Sequence, residues 1–203
     1  MVCVAEKAVL RFELLLHERT STNSNIMTLD ESDYLTFQLY TASKTPRIRK
    51  ARIRSWIGTT VSFACFAYIF YGSDNNVLAV YFLVCAGLSL TLFPFYSRWR
   101  YKRHYLKYIR DTYKNRFGEK CDIEFDSDTI FTKDRTGEAR INKSEIEEIN
   151  EIRDYYFIKF RTGTNLIISK TKSDNIEKIK TEIKSLVDTM GIKHNIEPDW
   201  KWR

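Results

Sequence analysis

The 203-residue chain carries 33 lysines and arginines against 26 acidic residues, a formal net charge of +7, with 43% hydrophobic residues and four cysteines. Cys3, Cys65, Cys85 and Cys121 show no paired spacing and no C-x-x-C, and His17, His104 and His194 offer no metal-ligand spacing, so a disulfide scaffold and a zinc site are both excluded. The positive balance suits nucleic acid only where aromatic stacking positions or a known module accompany it, and neither is present.

In residues 9–16, Leu10, Phe12, Leu14 and Leu16 alternate with Arg11, Glu13 and Leu15, the period of a half-buried strand. Glu6, Lys7, Arg11 and Glu13 interrupt the apolar residues, which excludes a secretory signal. The polar run over residues 20–25 reads as a loop. Thr28-Leu29-Asp30-Glu31 then fits a capping box, and a helix is expected through Tyr34, Leu35, Phe37, Leu39 and Tyr40. Pro46 marks a break before a basic segment.

Residues 55–73 and 75–97 are free of charge, with only Asp74 between them. At 1.5 Å rise per residue, about 20 apolar residues cover the ~30 Å hydrocarbon core of a bilayer. A pair of buried helices in a soluble protein keeps a polar stripe toward solvent. Neither run has one: Trp56, Phe63, Phe66, Tyr68, Phe70 and Tyr71 occupy every face of the first. The pattern predicts a transmembrane helical hairpin, and its first span must itself direct insertion.

Flanking charge orients the hairpin. Lys44, Arg47, Arg49, Lys50, Arg52 and Arg54 precede it, and Arg98, Arg100, Lys102, Arg103, Lys107 and Arg110 follow. The connecting turn over residues 72–76 has no positive charge. Basic residues at span ends stay cytoplasmic, which puts both termini inside and the turn outside. Trp56, Tyr71, Tyr81, Tyr96 and Trp99 lie near span ends, where amphipathic rings favour headgroups. Twelve cations are thereby tied to the membrane boundary, and anionic lipid headgroups explain the net charge. With most of the chain cytoplasmic, the thiols should stay reduced.

Residues 98–117 continue as a helix, with Leu106, Ile109, Tyr113 and Phe117 along one face and Gly118 ending it. Alternation then takes over. Strands are expected over residues 121–125, 129–132, 138–141, 155–160 and 166–169, separated by turns at 126–128, 134–137 and 161–165. Ile146, Ile149 and Ile152 are three apart, so residues 146–152 read as a short turn entering a strand. An amphipathic helix follows from residue 174 to about 190, with Ser173 as N-cap and Gly191 as C-cap. The simplest assembly is an antiparallel sheet closed by this helix.

The parts in this order resemble the YcxB-like bacterial membrane proteins. The resemblance rests on Leu29-Asp30-Glu31-Ser32-Asp33-Tyr34-Leu35, Ser43-Lys44-Thr45-Pro46-Arg47-Ile48-Arg49, the tight hairpin, and Ser144-Glu145-Ile146-Glu147-Glu148-Ile149 with Tyr155-Tyr156-Phe157-Ile158 and Leu166-Ile167-Ile168-Ser169-Lys170. It covers roughly residues 26–190. Asn142 stands near where that family has a tryptophan, and Ser169 replaces its proline. Residues 1–24 lie outside it, as an extra strand or as the product of a start upstream of Met27. The resemblance implies a cytoplasmic pleckstrin-homology-like domain, a bacterial cytoplasmic (inner) membrane location, and no catalytic residues.

The expectation is thus an α+β membrane protein: an N-terminal cytoplasmic strand and helix over 1–54, a transmembrane hairpin over 55–97 (spans 55–72 and 77–96), a cytoplasmic YcxB-like antiparallel β domain with its C-terminal helix over 98–191, and a tail over 192–203. Its expected partners are the bilayer, anionic headgroups, and a protein partner or further copies of itself. Arg47, Arg49, Lys50, Arg52, Arg54, Arg98, Arg100, Lys102, Arg103, Trp200 and Trp202 are the candidate lipid- or partner-binding residues. No catalytic, cofactor-binding or metal residue is assigned. Glu145, Glu147, Glu148, Glu151 and Asp154 form the best carboxylate cluster and read as a solvated face rather than an active site. The expected function is a non-enzymatic anchor or adaptor. The alternative is an oligomeric pore or a small accessory subunit of a transporter, with Thr59, Thr60, Ser62, Ser89 and Thr91 as the polar residues of the spans.

Overall fold

The computed structural model describes residues 25–202, and the strand expected over residues 9–16 lies outside them. The chain divides into two units, one reaching to Asp33 and resuming over Asn115–Trp200, the other formed by Tyr34–Lys114 with Lys201–Arg203.

The first unit holds two four-stranded sheets. Strands β1 (Asn25–Thr28), β2 (Lys120–Phe125), β3 (Thr129–Asp134) and β4 (Gly137–Asn142) form an antiparallel meander in that order. Asp134 makes the β3–β4 turn, its Oδ1 accepting from the N–H groups of Thr136 (2.7 Å) and Gly137 (3.0 Å). This is the local bonding that favours aspartate in turns.

The second sheet has the order β7-β6-β5-β8, from β5 (Ile146–Ile152), β6 (Tyr155–Phe160), β7 (Asn165–Ser169) and β8 (Lys193–Glu197). Residues 146–152, expected as a short turn entering a strand, are strand throughout, and the 3-10 turn precedes them over Lys143–Glu145. The three-residue isoleucine spacing has a specific cause. A bulge between Ile146 and Glu148 lets Ile146 face Phe160 while Ile149 faces Ile158, so both share one side despite their odd separation. Ile149, Ile158 and Ile168 are fully buried, and Tyr156, Phe157 and Phe160 nearly so. Strand β6 is therefore covered on both faces, which explains its unbroken apolar run.

Three expectations are corrected in this unit. A single antiparallel sheet was expected, whereas there are two sheets and β8 runs parallel to β5. Residues 192–203 were expected as a tail, yet β8 lies there. Its sequence, Lys193-His194-Asn195-Ile196-Glu197, has one apolar residue, and the strand is fixed by backbone pairing that no hydrophobic pattern announces. Residue 98 was expected to open the β domain, but the sheet unit resumes only at Asn115 and takes β1 from the N-terminal segment.

The helices also differ at their starts. Helix α1 (Glu31–Lys44) opens with Asp30 and Asp33 as reciprocal caps: Asp33 Oδ2 accepts from Asp30 N–H at 2.7 Å, and Asp30 Oδ1 accepts from Ser32 N–H at 2.9 Å. The capping box is thus two residues downstream of Thr28–Glu31, because Thr28 is held in β1. The C-terminal helix of the sheet unit (Ile176–Met190) takes Asn175 as its N-cap, the Asn175 carboxamide accepting from Lys178 N–H at 3.2 Å, in place of Ser173. Gly191 closes it at φ 62°, a left-handed conformation that glycine adopts without Cβ strain. Its stripe of Ile179, Ile183 and Leu186 is buried.

The second unit is a helical hairpin. Helix α2 (Pro46–Gly72) begins at Pro46, whose missing N–H is no loss in a first turn, and α3 (Asn76–Tyr113) follows a turn in which Asn75 caps Leu78 N–H. The two apolar helices expected from the sequence are therefore present. Small residues mark the buried seam: Ala67, Ala79 and Ala86 are under one-tenth exposed. Phe82 sits 5.4 Å from both Phe66 and Phe70, and the Thr60 and Ser89 hydroxyls are 3.2 Å apart. Pro94 stands inside α3.

Candidate functional site

The apolar windows of α2 and α3 are only 6% and 11% buried. Tyr68 and Val77 are each 80% exposed and Leu83 64%. Large side chains thus point outward along the hairpin, and the seam alone is covered.

Charge is concentrated at one end. Arg47, Arg49, Lys50 and Arg54 project from the first turns of α2, and Arg100, Lys102 and Arg103 from α3, all exposed. Arg98 and Arg103 lie over Phe95 (5.6 Å) and Trp99 (5.3 Å), as cations do against the faces of aromatic rings. Arg52 is different, being half-buried between the helices. Its Nε donates to Ser97 Oγ at 3.3 Å, and its guanidinium sits 5.6 Å from the Tyr101 ring and 4.9 Å from that of Trp202.

Two clefts flank this Arg52–Ser97 bridge. One, of about 380 Å³, is lined by Arg49, Arg52 and Lys201 together with Ile48, Trp56 and Phe93. The other, of about 420 Å³, has Arg52, Arg100, Tyr101 and His104 in its wall. Among the described residues, neither has a carboxylate in its lining.

The structure therefore draws Arg52 and Trp202 together, with Arg49 and Arg100 on either side. Trp200 belongs to the sheet unit, where its backbone N–H donates to Glu197 O at 3.1 Å. Ser97, Tyr101 and His104 were missed from the sequence. Ser97 and Tyr101 are four apart on α3 and share a face, but the register that sets them opposite Arg52 depends on how the two helices pack.

In the sheet unit, three members of the expected carboxylate cluster, Glu147, Glu148 and Glu151, pair with lysines. Glu147 meets Lys159 at 2.9 Å, Glu151 meets Lys170 at 2.7 Å, and His194 Nε2 lies 3.0 Å from Glu151 Oε2. Burial would raise the Glu151 pKa, but the Lys170 hydrogen bond and charge outweigh it and hold the carboxyl below its ordinary range. Tyr156 is pushed up to about 12, first by burial and then by the charge of Glu151. The Cys121 thiol is pushed up to about 11 by burial, with Asp134 and Asp122 adding to it, which disfavours the reactive thiolate.

A second cluster sits at the start of α1. Lys172 Nζ is 2.6 Å from both Asp30 Oδ2 and Asp33 Oδ2, and Tyr155 donates to Asp33 Oδ1 at 2.6 Å. Asp33 is fully buried. Among the described residues, no group of three or more His, Cys, Asp and Glu side chains is arranged to hold a metal ion.

No protein-family model and no curated protein matches the chain.

Proposed function

We propose that the protein is a two-pass membrane anchor whose α2–α3 hairpin crosses a bacterial cytoplasmic membrane, with both termini and the basic base on the cytoplasmic side. The sheet unit, as a YcxB-like and pleckstrin-homology-like module, is then an adaptor held at the inner leaflet to engage a protein partner, while the basic base engages anionic headgroups. Catalysis has no part in this reading.

The observation that carries it is the outward display of apolar side chains along both helices, with cations confined to one end. A soluble protein exposing Tyr68, Val77 and Leu83 together would present an apolar surface far beyond the isolated residues normal on such proteins. Inserted in lipid, the same surface is satisfied. Between Ser55 and Gly72, α2 rises about 27 Å, close to the ~30 Å hydrocarbon thickness.

An anchor is favoured over a pore by the hydroxyls of the spans. Thr59 and Ser62 donate to backbone carbonyls of their own helix, Thr91 does the same, and Thr60 meets Ser89 across the seam. These groups serve the hairpin itself.

Alkaline carbonate extraction of membranes from cells expressing the full chain tests the anchor. The protein should stay in the pellet and be released only by detergent. Release by carbonate or high salt would overturn the proposal.

A further inference from the structure

Strand β4 is an edge of the first sheet, and among the described residues no strand pairs with its outer side. Its six residues are mostly exposed and follow β3 without a bulge. They include no proline or lysine, residues that commonly blunt a sheet edge. The two-residue turn at 135–136, across which Asp134 faces Gly137, sets the phase of the ladder. By the alternation of antiparallel ladders, Gly137, Ala139 and Ile141 turn their backbone N–H and C=O groups toward β3. Glu138, Arg140 and Asn142 turn theirs outward. The Glu138 and Arg140 side chains share one face of the sheet. There Glu138 pairs with Lys133, and the Arg140 guanidinium lies 5.2 Å from the Phe131 ring.

This edge is complementary to itself about a two-fold axis. With a second copy of β4 antiparallel to the first and Ala139 facing its own counterpart, Glu138 of each copy faces Arg140 of the other. Both of these positions have outward backbone groups, so each pair exchanges its N–H···O bonds and sets opposite charges directly across the join. Ala139 meets Ala139 at the closely spaced, non-bonded position, where a small side chain fits. Ile141 meets Gly137, which has no side chain. The charges then alternate in sign along one row, through Asp122, Lys133, Glu138 and the partner's Arg140. Other registers are worse. A slip of two residues sets Arg140 against Arg140 or Glu138 against Glu138, and a slip of one sets outward backbone groups against inward ones.

We propose that the β4 edge is a homodimerisation surface, on which β4 of a second copy of this chain adds antiparallel with Glu138 opposite Arg140. The interface is isologous, so one set of residues supplies both halves. It names a second copy as a partner of the sheet unit, which goes beyond the anchor reading and stands apart from how the hairpin meets lipid. One strand edge is a small interface, so the dimer is transient and is read by trapping it.

The test is oxidative cross-linking of the detergent-solubilised full chain with its four native cysteines replaced. Cα atoms of a non-bonded pair lie about 4.5 Å apart, within reach of a disulfide. The Ala139→Cys chain should therefore run as a dimer on a non-reducing gel. Ile141→Cys should not, because its two thiols stand four residues apart along the join. Added to Ala139→Cys, either Glu138→Arg or Arg140→Glu sets like charges across the join, and the dimer yield should fall about tenfold. Mixing these two chains, tagged to differ in size, restores opposite charges in the mixed pair, and the heterodimer should return to the unswapped yield. A failure of either swapped chain to fold would not be rescued by mixing. No cross-link at 139, equal cross-linking at 139 and 141, or no recovery in the mixture would each overturn the proposal. No bilayer is present, so these outcomes leave the anchor proposal to its own test by carbonate extraction.

Discussion

Asp33 shows how much one buried carboxylate organises. It caps the start of α1, accepts from Tyr155 and pairs with Lys172, three roles played within the sheet unit. Replacing Lys172 by methionine leaves a charge in a fully buried place, with Tyr155 and the Asp30 N–H as remaining donors. The expected loss is about 2 kcal/mol, below the 3–5 kcal/mol for a wholly dry pair because Lys172 is itself part-exposed. Tyr155→Phe should cost roughly 1.5 kcal/mol, the low end for a hydrogen bond to a charged group. Thermal unfolding of the detergent-solubilised full chain, followed by circular dichroism, measures both.

The same latch has a pH signature. The Lys172 hydrogen bond, with those from Ser32 behind it, holds Asp30 well below its ordinary carboxylate range. A lowered carboxyl pKa adds stability above the unfolded value, and that stability is lost as pH falls through the folded value. For Lys172, burial works downward, but the bonds to Asp30 and Asp33 outweigh it and raise the ammonium pKa above 10.5. Its contribution is complete below that value and is lost only as pH climbs past the raised one. The latch is therefore fully formed at neutral pH and weakens in acid. The wild type should lose stability between about pH 5 and 2 more steeply than Lys172→Met, which has no latch to lose. Parallel acid limbs would show that the latch contributes nothing.

At the scale of elements, residue pattern indicated most of what the chain does. Five of the expected strand segments appear as β3 to β7, and 121–125 falls inside β2, because each has an alternating or apolar run bounded by turn chemistry. Helix starts were less legible, since several polar residues compete for each cap. Asn175, not Ser173, accepts from the first turn of the C-terminal helix. Asn175→Ala should therefore cost about 1 kcal/mol. Ser173→Ala should cost nothing measurable, because the Ser173 hydroxyl is buried without a hydrogen-bond partner among the described residues. The reverse order in thermal unfolding would reinstate Ser173 as the cap. Strands β1 and β8 escaped notice for a different reason. Both are short and defined by pairing with a strand far away in sequence, β1 with β2 and β8 with β5.

For the whole molecule, the candidate site was half legible. The residue pattern located the cations at the ends of the apolar runs. It did not distinguish Arg52 from its neighbours. That distinction comes from packing within the helical unit, which sets Ser97, Tyr101 and Trp202 around one guanidinium. Nor did it separate Trp200 from Trp202, two residues apart yet in different units.

The central claim is that the α2–α3 hairpin crosses the membrane with its basic end inside. Ser73 lies in the turn at the opposite end, and Cys121 lies in β2 of the sheet unit. A Ser73→Cys chain with the native cysteines replaced, and a second chain retaining Cys121 alone, can be labelled in intact cells with a membrane-impermeant maleimide. The engineered thiol at position 73 should react from outside, whereas Cys121 should stay unlabelled until the cells are permeabilised and the protein unfolded. A position 73 thiol that reacts only after permeabilisation would contradict a crossing with the basic end inside.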